Sequence, residues 1–558
     1  MVSGFPKQAN LDGHKGYEIF DEGQCFVYPW TDREKWPSMP KKDFTISVLF
    51  SIPNANGNQG LAACIFQPKE GLAGWRIVIR NGKPEFTVAK PGSPATTIEA
   101  KAEVSLNKTH RIDASYDGAQ ARFYIDGTLQ GEKSAPFGNL VYNGRAGICF
   151  ADWWEGPRSF EYIGSLFESA FWDKALTPQQ ISTALEKPDI APMPKEDESD
   201  LKFTIDPFFQ YPTASEATVV WETSSTASTL VRVGESAKTA KEIKGPDSRI
   251  HKVVLPNLKP ARTYFVQIES TLQGKTVTSK WASFRSGSLP GTPVKFAVVG
   301  DTQDHPEANH IVANAMFAER PDSVMIVGDL VGMGWMKNQW EHDFFGSMRP
   351  LLSHVPLIPV IGNHDRNARI YYDLMATPAP SYCYSYVTGD VEMFVIDTNR
   401  SVKPGSPQYI WLEGALKASK AKWKIAAHHH PPYSSDNDDF GDSDVEQTTE
   451  GEWQLRSLCT LYDKYHVDLC FSGHIHSYER TFPIVSGKVV PEGKGTVYLV
   501  VGGGGGDLET PKATRSSFSR VVRYGHHFGM VTADSEHLEF RAYDDQSRLF
   551  DTYTIEKP

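Results

Sequence analysis

The sequence predicts a multidomain chain in which two β modules precede an α/β domain. Its 558 residues exceed what one hydrophobic core usually spans. Short alternating strands with turn dipeptides fill the first block, whereas apolar strand-like runs alternate with helical periodicity after residue 294. A Pro- and acid-rich run at 187–200 and the segment SLPGTP at 288–293 separate the blocks. We therefore expect domains at residues 1–187, 201–287 and 294–558.

Composition excludes several classes of partner. The net charge is −11, with acidic and basic residues mixed along the chain, so a nucleic-acid-binding surface is not expected. No apolar run approaches the roughly 18 to 20 residues of a spanning helix, and the start, MVSGFPKQANLDG, has no apolar signal core. The six cysteines are sparse and form no CxxC motif, which favours buried thiols.

Turn dipeptides predict the structure of the first block. Asn81-Gly82, Asp117-Gly118 and Asp126-Gly127 are hairpin signals between alternating strands. The block closes with WDKALTPQQI, where Thr177 is a predicted helix N-cap and Gln180 can complete a capping box. These features predict a β jelly-roll sandwich closed by a short helix.

Through that hairpin run and the closing WDKALTPQQI, the first block resembles the laminin-G-like, concanavalin-type family. The resemblance implies one of two roles, which stay open: such domains bind glycans or pack against a catalytic neighbour. The adjacent Trp153 and Trp154 are either a sugar platform or core aromatics.

The second block is a smaller β module without predicted chemistry. Trp221 lies in the strand-like run ATVVWET, and Leu258, Pro260 and Tyr264 have the spacing of a tyrosine corner. The block resembles a fibronectin type III domain.

In the third block, five apolar runs each end in a polar residue that can bind a metal. The carboxyl ends of strands are where ligands gather in open α/β sheets. Carboxylates, an amide and imidazoles without thiolates suit metals of borderline hardness. Without cations, Asp301 and Asp329 at about 4 Å would repel by roughly 4 kcal/mol. The runs and their closing residues are VKFAVVGD with Asp301, SVMIVGD with Asp329, VPLIPVIGNHD with Asn363 and His364, KWKIAAHHH with His428 to His430, and VDLCFSGHIH with His474 and His476.

These blocks resemble the metallophosphoesterase (calcineurin-like) superfamily and, within it, the purple acid phosphatases. The family's GD, GDxxY, GNH(D/E), xxxH and GHxH blocks appear as GDTQD, GDLVG, GNHD, AAHHHPP and GHIHSYER. The resemblance implies two divalent or trivalent metal ions, bridged by Asp329. The first metal would be held by Asp301, Asp329 and His476, and the second by Asp329, Asn363, His429 and His474.

Two positions depart from the family pattern at the first metal. Gly332 stands where the purple acid phosphatases have a tyrosinate on ferric iron and where calcineurin-type relatives have an Asp. Gln303 stands where a DxH motif has its His, and its side-chain oxygen is a possible first-site ligand; Asp304 and His305 are alternatives. Losing a hard anionic ligand favours Mn, Zn or Fe(II), so an Fe(III)-tyrosinate is not expected.

The resemblance implies hydrolysis of phosphoric monoesters or diesters by a water that the metals activate. His364 is the candidate general acid, and His430, Tyr433 and Tyr478 are expected to contact a small phosphoester substrate. The alternative is a metal- or glycan-binding protein whose phosphoesterase domain is degenerate and inactive.

Two further expectations concern context. An acidic stretch with Asp436, Asp438 and Asp439 follows the His run; it is either a solvated loop, a weak Ca²⁺ site or part of the cleft, where it would disfavour dianionic monoesters. By analogy with other β modules of these kinds, the chain is expected to be a mature secreted or periplasmic form.

Overall fold

The computed structural model describes residues 7–19, 26–29, 40–55, 57–66, 71–142, 147–150, 154–155, 158–159, 162–186, 201–436, 450–511 and 515–557. It divides into two compact units. The N-terminal unit comprises Met1–Lys195 with Asn367–Arg369, and the C-terminal unit comprises Glu196–Arg366 with Ile370–Pro558. The side chains of Trp153 and Trp154, together with Asp438 and Asp439, lie outside what the structure describes.

The N-terminal unit is a β-sandwich. In the described part of this unit, a seven-stranded sheet (β1-β2-β15-β4-β9-β10-β11) and a six-stranded sheet (β3-β12-β5-β6-β7-β8) supply the side chains of one core. Its elements are β1 (Lys7–Leu11), β2 (His14–Ile19), β3 (Phe26–Pro29), β4 (Phe44–Ser51), β5 (Asn58–Phe66), β6 (Ala73–Arg80), β7 (Lys83–Ala89), β8 (Thr96–Glu99), β9 (His110–Tyr116), β10 (Gln120–Ile125), β11 (Thr128–Ser134), β12 (Gly147–Phe150), β13 (Trp154–Glu155), β14 (Arg158–Ser159), β15 (Gly164–Trp172) and helix α1 (Pro178–Glu186).

The predicted local signals explain how this unit is connected. Asn81-Gly82 joins β6 to β7, and Asp126-Gly127 joins β10 to β11, with all four residues at the positive φ that a tight hairpin turn requires. At α1, the Thr177 amide donates to Gln180 Oε1 at 2.9 Å, and the Gln180 amide donates to Thr177 Oγ1 at 3.4 Å. The predicted capping box is therefore present.

The middle module has its own core, built around Trp221, but shares a sheet with the region after residue 294. Gln210 of its first strand pairs in parallel with Leu357 of a strand in the following region. The Tyr264 hydroxyl accepts a hydrogen bond from the Lys259 amide at 2.8 Å, as the tyrosine-corner spacing predicts. The strands are β16 (Phe203–Gln210), β17 (Ala217–Gly234), β18 (Lys241–Leu255), β19 (Thr263–Leu272), β20 (Lys275–Thr278) and β21 (Ala282–Arg285), with a 3₁₀ turn at Ala237–Thr239.

Two large sheets form the centre of the C-terminal unit. Within the described residues, one runs β20-β19-β17-β16-β24-β23-β22-β34-β35-β36 and the other β25-β26-β27-β28-β32-β29-β33. Side chains of both sheets fill one apolar core. Their remaining strands are β22 (Val294–Val299), β23 (Ser323–Val327), β24 (Leu357–Val360), β25 (Tyr384–Thr388), β26 (Val391–Val395), β27 (Trp423–Ala427), β28 (Leu469–Ser472), β29 (Tyr478–Thr481), β32 (Val497–Val501), β33 (Ser519–Arg523), β34 (His527–Ala533), β35 (His537–Asp544) and β36 (Leu549–Glu556), with a small hairpin of β30 (Ile484–Val485) and β31 (Lys488–Val489).

Helices add an outer layer to each sheet, because each sheet has a second apolar face to cover. Side chains of α2 and α3 share a core with β22 and β23, whereas α5 and α6 share another with β26 and β27. The helices are α2 (Pro306–Ala318), α3 (Ser347–Leu352), α4 (Arg369–Leu374), α5 (Pro407–Ala418) and α6 (Arg456–Tyr465), with a π-helical segment at Gln339–Gly346 and a 3₁₀ turn at Trp453–Leu455. Across the described ranges, every helix is too short or too polar to cross a lipid bilayer.

Candidate metal centre

The carboxyl ends of strands from both sheets meet at one cluster of buried polar side chains. The strands β22, β23 and β24 are parallel neighbours, and so are β27 and β28 in the other sheet. Each ends in a residue that the sequence singled out, so packing the two sheets together brings the set into one place. The residues are Asp301 after β22, Asp329 after β23, Asn363 and His364 after β24, His429 after β27, and His474 and His476 after β28.

Sharp turns and glycines let these side chains approach closely. Asp301, Asp329 and His474 adopt positive φ values of 59°, 51° and 71°, so the chain reverses at the ligand itself. A Cβ at Gly362 would lie 2.2 Å from Asp329 Oδ1, and one at Gly473 would lie 2.3 Å from Asp301 Oδ2. The glycines of the GNHD and GHIH motifs are therefore required, because a larger residue would clash with these carboxylates.

Asp329, His429 and His474 form the tightest part of the cluster. One ligand atom from each lies within 4.8 Å of the others. His429 Nε2 is 3.1 Å from Asp329 Oδ2 and 2.9 Å from Asn363 Oδ1, and His474 Nδ1 is 3.1 Å from the same amide oxygen. Because His429 Nδ1 donates to the Val327 carbonyl at 2.9 Å, its Nε2 faces the cluster.

Asp301, His476 and Gln303 lie beside this group. Asp301 Oδ1 is 4.0 Å from His429 Nε2 and 3.4 Å from His476 Nε2, and Asp301 also accepts the His474 amide. His476 Nδ1 donates to the Asp507 carbonyl at 2.6 Å, so Nε2 again points inward. Gln303 is fully buried, with Nε2 3.2 Å from His476 Nε2, and among the described residues its Oε1 has no hydrogen-bond partner.

The donor set fits a pair of metal ions. It consists of two carboxylates, an amide oxygen, three imidazole nitrogens and the unpartnered Gln303 oxygen, which suits Mn, Zn or Fe. Burial opposes charge on His429, but the nearby Asp329 carboxylate raises the pKa of that imidazole to about 9. Burial likewise opposes charge on His476, whose pKa Asp301 raises to about 10. The cluster attracts cations, and protons on the imidazoles compete with a metal for the same atoms.

The loop after Asp329 orients His364. The His364 amide donates to Asp329 Oδ1 at 2.7 Å, and its ring Nδ1 donates to the Gly332 carbonyl at 2.9 Å. A Cβ on Gly332 would lie 2.3 Å from Asp304 Oδ1. The space that a side chain at position 332 would fill is thus occupied by the Asp304 carboxylate, and a backbone oxygen holds the imidazole.

The three consecutive histidines point in different directions. His429 alone faces Asp329, whereas His428 is stacked on Tyr462 and its Nε2 is 3.2 Å from Cys470 Sγ. Burial lowers the pKa of His428 to about 4, so it stays neutral there. The His430 ring lies 4.4 Å from the His474 ring, and its Nδ1 is 2.8 Å from Thr398 Oγ1. His430 therefore borders the cluster without belonging to it.

The two tyrosines expected in the cleft lie in the core instead. Tyr478 is fully buried, and its hydroxyl donates to Asp551 Oδ2 at 2.6 Å. Tyr433 is 4% exposed and packs against Tyr498. Each ring belongs to an apolar core, and the expected substrate contacts of both tyrosines remain predictions.

Sequence reasoning missed two carboxylates that support the cluster. Asp365 is fully buried; its Oδ2 accepts the Gly362 amide at 2.8 Å and its Oδ1 the Leu330 amide at 3.0 Å. Burial and the neighbouring Asp329 raise the pKa of Asp365 well above its usual range. Asp397, also buried, accepts the Asn399 amide at 2.9 Å, and the Asn399 side chain donates to the Gly362 carbonyl at 3.1 Å. The sequence signals that could have identified them were the final Asp of GNHD, which is Asp365, and the Asp of FVIDTN, which is Asp397.

Comparison with known proteins agrees with this geometry. Residues 294–478 match the calcineurin-like phosphoesterase family, and residues 31–182 match the family described as the concanavalin A-like lectin/glucanases superfamily. The chain therefore carries a calcineurin-like phosphoesterase domain after a concanavalin A-like domain, and its homologues include purple acid phosphatases. Such a domain implies divalent or trivalent metal ions.

Individual relatives differ in what their names say. "Probable inactive purple acid phosphatase 24" of Arabidopsis thaliana is 27% identical over 55% of this chain and 57% of its own length. "Nucleotide pyrophosphatase/phosphodiesterase" of Hordeum vulgare is 25% identical over 42% of this chain and 72% of its own length. The structure of purple acid phosphatase PPD1 from yellow lupin (Lupinus luteus) seeds aligns with a TM-score of 0.57 at 18% identity, covering 98% of this chain and 94% of that one, which shows a shared fold.

Proposed function

We propose that this chain hydrolyses phosphoric esters at a dinuclear metal centre. Asp301 and His476 would serve one ion, Asn363, His429 and His474 the other, and Asp329 both. When bound, two such ions lower the pKa of a water molecule and polarise a phosphoryl oxygen. The observation that carries the proposal is the convergence of these donors beside an oriented imidazole, His364.

Asp329 is built to serve two neighbours at once. Its Oδ2 faces His429, and its Oδ1 accepts the amide of His364. Burial would raise the pKa of Asp329, but the imidazoles of His429 and His364 hold it well below its usual range. The carboxylate is thus kept ionised and fixed in orientation, as a bridging ligand must be.

His364 is the proposed general acid for the leaving oxygen. Its Nδ1 proton is donated to the Gly332 carbonyl, so the proton passed to the leaving oxygen would be the second one, on Nε2 of the imidazolium form. Its backbone is fixed twice, through its amide to Asp329 and through its carbonyl, which accepts the Gly334 amide at 2.9 Å. A ring held in this way needs little reorganisation during proton transfer.

A second candidate function is metal binding without turnover. Two observations favour it. The names of three relatives begin "Probable inactive", and the chain spans 57 to 64% of the length of these relatives. Position 332 is a glycine and therefore has no side chain that could bind a metal. Against it, the Gly332 carbonyl still positions the proposed acid, and Gln303 offers an oxygen where a ligand is needed.

Turnover on a panel of aryl phosphate monoesters and diesters, measured with metal analysis of the same preparation, separates the two candidates. We expect about two metal ions per chain, which is the stoichiometry of two-metal hydrolysis, and saturable turnover. Asp329→Ala serves as the matched control, because it should abolish both metal binding and turnover. Bound metal with no turnover on any ester would instead support the binding function.

For the N-terminal unit we propose glycan binding, supported by its match to the lectin and glucanase superfamily. Titration of the full chain with oligosaccharides checks this, and a lack of binding across a broad array would leave a packing role.

A further inference from the structure

The loop between β23 and the π-helical segment holds His364 through backbone atoms. Gly332 supplies the carbonyl that His364 Nδ1 contacts, and the Gly334 amide donates to the His364 carbonyl. A Cβ at Gly334 would lie 1.9 Å from the Asp365 carbonyl oxygen, so loop and motif pack backbone to backbone. The Trp340 indole donates to the Gly334 carbonyl at 2.7 Å. Any shift of residues 332–334 must therefore move His364.

Three residues further along, Lys337 connects this loop to the middle β module. Its ammonium group donates to Glu222 Oε2 and lies 3.5 Å from Glu341 Oε1. Glu222 belongs to β17 and is 2% exposed, and its Oε1 is 3.2 Å from Arg249 Nε of β18. The Glu341 side chain is 23% exposed, and burial raises its pKa.

The energetics of this contact depend on its burial. An ion pair on the surface contributes little, but removing one partner of a buried pair leaves an uncompensated charge and is costly. The Lys337 side chain is 12% exposed and that of Glu222 is 2% exposed, so water has little access to either charge. The position of Lys337, and with it the end of the loop, is thus set by a residue of the middle module.

We propose that Glu222 is a positioning residue for the phosphoesterase site, acting through Lys337 and the loop 332–334 on the orientation of His364. The middle module then contributes to the chemistry of a site of which it forms no part. This inference rests on the proposed function only for its kinetic consequence, since the effect on the loop can be measured without turnover.

The test compares Glu222→Gln and Lys337→Met with two controls in the full, metal-loaded chain. Lys337→Arg keeps the charge and should behave like the unaltered protein. Glu269→Gln is the second control. Glu269 Oε2 lies 3.0 Å from Arg232 Nη1, and this ion pair is in the middle module but away from the loop 332–334. The readouts are hydrogen exchange of peptides covering residues 330–338, metal content, and kcat for aryl phosphates with good and poor leaving groups.

We expect exchange in residues 330–338 to accelerate by roughly tenfold or more in Glu222→Gln and Lys337→Met, with metal content unchanged. We expect kcat to fall about tenfold for a poor leaving group, which needs the acid, and little for a good one. Equal exchange in all variants, or equal acceleration in Glu269→Gln, would overturn the inference. If Glu222→Gln does not fold, Lys337→Met decides. If the unaltered protein shows no turnover, the proposed function fails while the exchange data still decide this inference.

Discussion

A backbone carbonyl orients the imidazole of His364, and this has consequences that a side chain at position 332 would not have. The Gly332 oxygen can accept the Nδ1 proton but cannot take up charge or bind a metal as a phenolate does. The carboxylate of Asp304 lies where that side chain would be. The residue-level chemistry is therefore that of a fixed, neutral acceptor behind the proposed acid.

His364→Ala should retain the metal ions and lose rate. The ring is not part of the Asp329, His429 and His474 group, so metal content should be unchanged. Loss of a general acid lowers kcat by roughly 10² to 10⁴, and most for poor leaving groups. Steady-state kinetics with elemental analysis check this, with His474→Ala, which should lose metal, as the control. Full activity of His364→Ala on an alkyl phosphate would rule out its acid role.

Iron-loaded protein should lack the intense visible band of a ferric phenolate, because position 332 carries no phenol and the rings of Tyr433 and Tyr478 are buried in apolar cores. An absorption spectrum of the oxidised, iron-loaded chain measures this directly. An intense charge-transfer band would mean that a tyrosine binds the metal after all.

At this scale the residues that converge in the cluster could be predicted from the sequence, because each lies in a short local motif; their role as metal ligands remains a prediction. The contact between Asp304 and Gly332 could not, since it joins two loops that only the parallel pairing of β22 and β23 brings together. The burial of Tyr478 was not predictable for a related reason: it lies two residues after His476, but it already begins β29, whose residues are all buried.

At the scale of elements, strand ends bring the proposed ligands together and glycines make room for them. Gly362 and Gly473 each precede a ligand and leave no space for a methyl group. The apolar runs predicted these strands well, because each is a continuous run buried on both faces. The continuation of the central sheet into the middle module through Gln210 and Leu357 was not predictable, because one pairing far apart in sequence leaves no periodic signal.

Gly362→Ala should cost metal binding without unfolding the chain. Its Cβ would lie 2.2 Å from Asp329 Oδ1, so the carboxylate must move. Gly414→Ala in α5 is the matched control: the new Cβ would meet nothing within 4 Å, and Ala should stabilise the helix by about 0.5 to 1 kcal/mol. Metal titration and thermal unfolding of both variants provide the measurement. Unaltered metal affinity in Gly362→Ala would contradict the crowding argument.

At the scale of the whole molecule, the chain consists of two compact units, and the middle module belongs to the same unit as the phosphoesterase region. The two family matches cover separate stretches of the chain, residues 31–182 and 294–478. The fibronectin type III interpretation of the middle module and the domain limits remain predictions. In the middle module, the rings of Trp221 and His251 stack with their centroids 4.4 Å apart.

The stability of the C-terminal unit should fall in mild acid because of His251. Burial lowers the pKa of His251 to about 4, whereas the unfolded chain takes up that proton near its ordinary value of 6.5. The unfolded state therefore binds more protons between these values, and stability present above pH 6.5 is lost as the pH falls. Between pH 7 and pH 5 the loss from this residue is about 2 kcal/mol.

Urea unfolding at the two pH values, followed by hydrogen exchange of β17 and β18 peptides, measures this loss. In His251→Gln the difference between pH 7 and pH 5 should shrink by about that amount, because the titrating group is gone. An undiminished difference would show that other groups cause the acid sensitivity.

The order of strands in the central sheet also constrains how the protein is made. The first strand of the phosphoesterase region, β22, has β23 on one side and β34 on the other, more than two hundred residues later in the chain. During synthesis, which delivers N-terminal segments first, Asp301 emerges long before His474 and His476. The growing chain must therefore wait with one edge of β22 unpaired, a state that favours association with other chains. The proposed metal centre can thus be completed only after His474 and His476 have been synthesised, and the open edge of β22 is paired only when β34 follows.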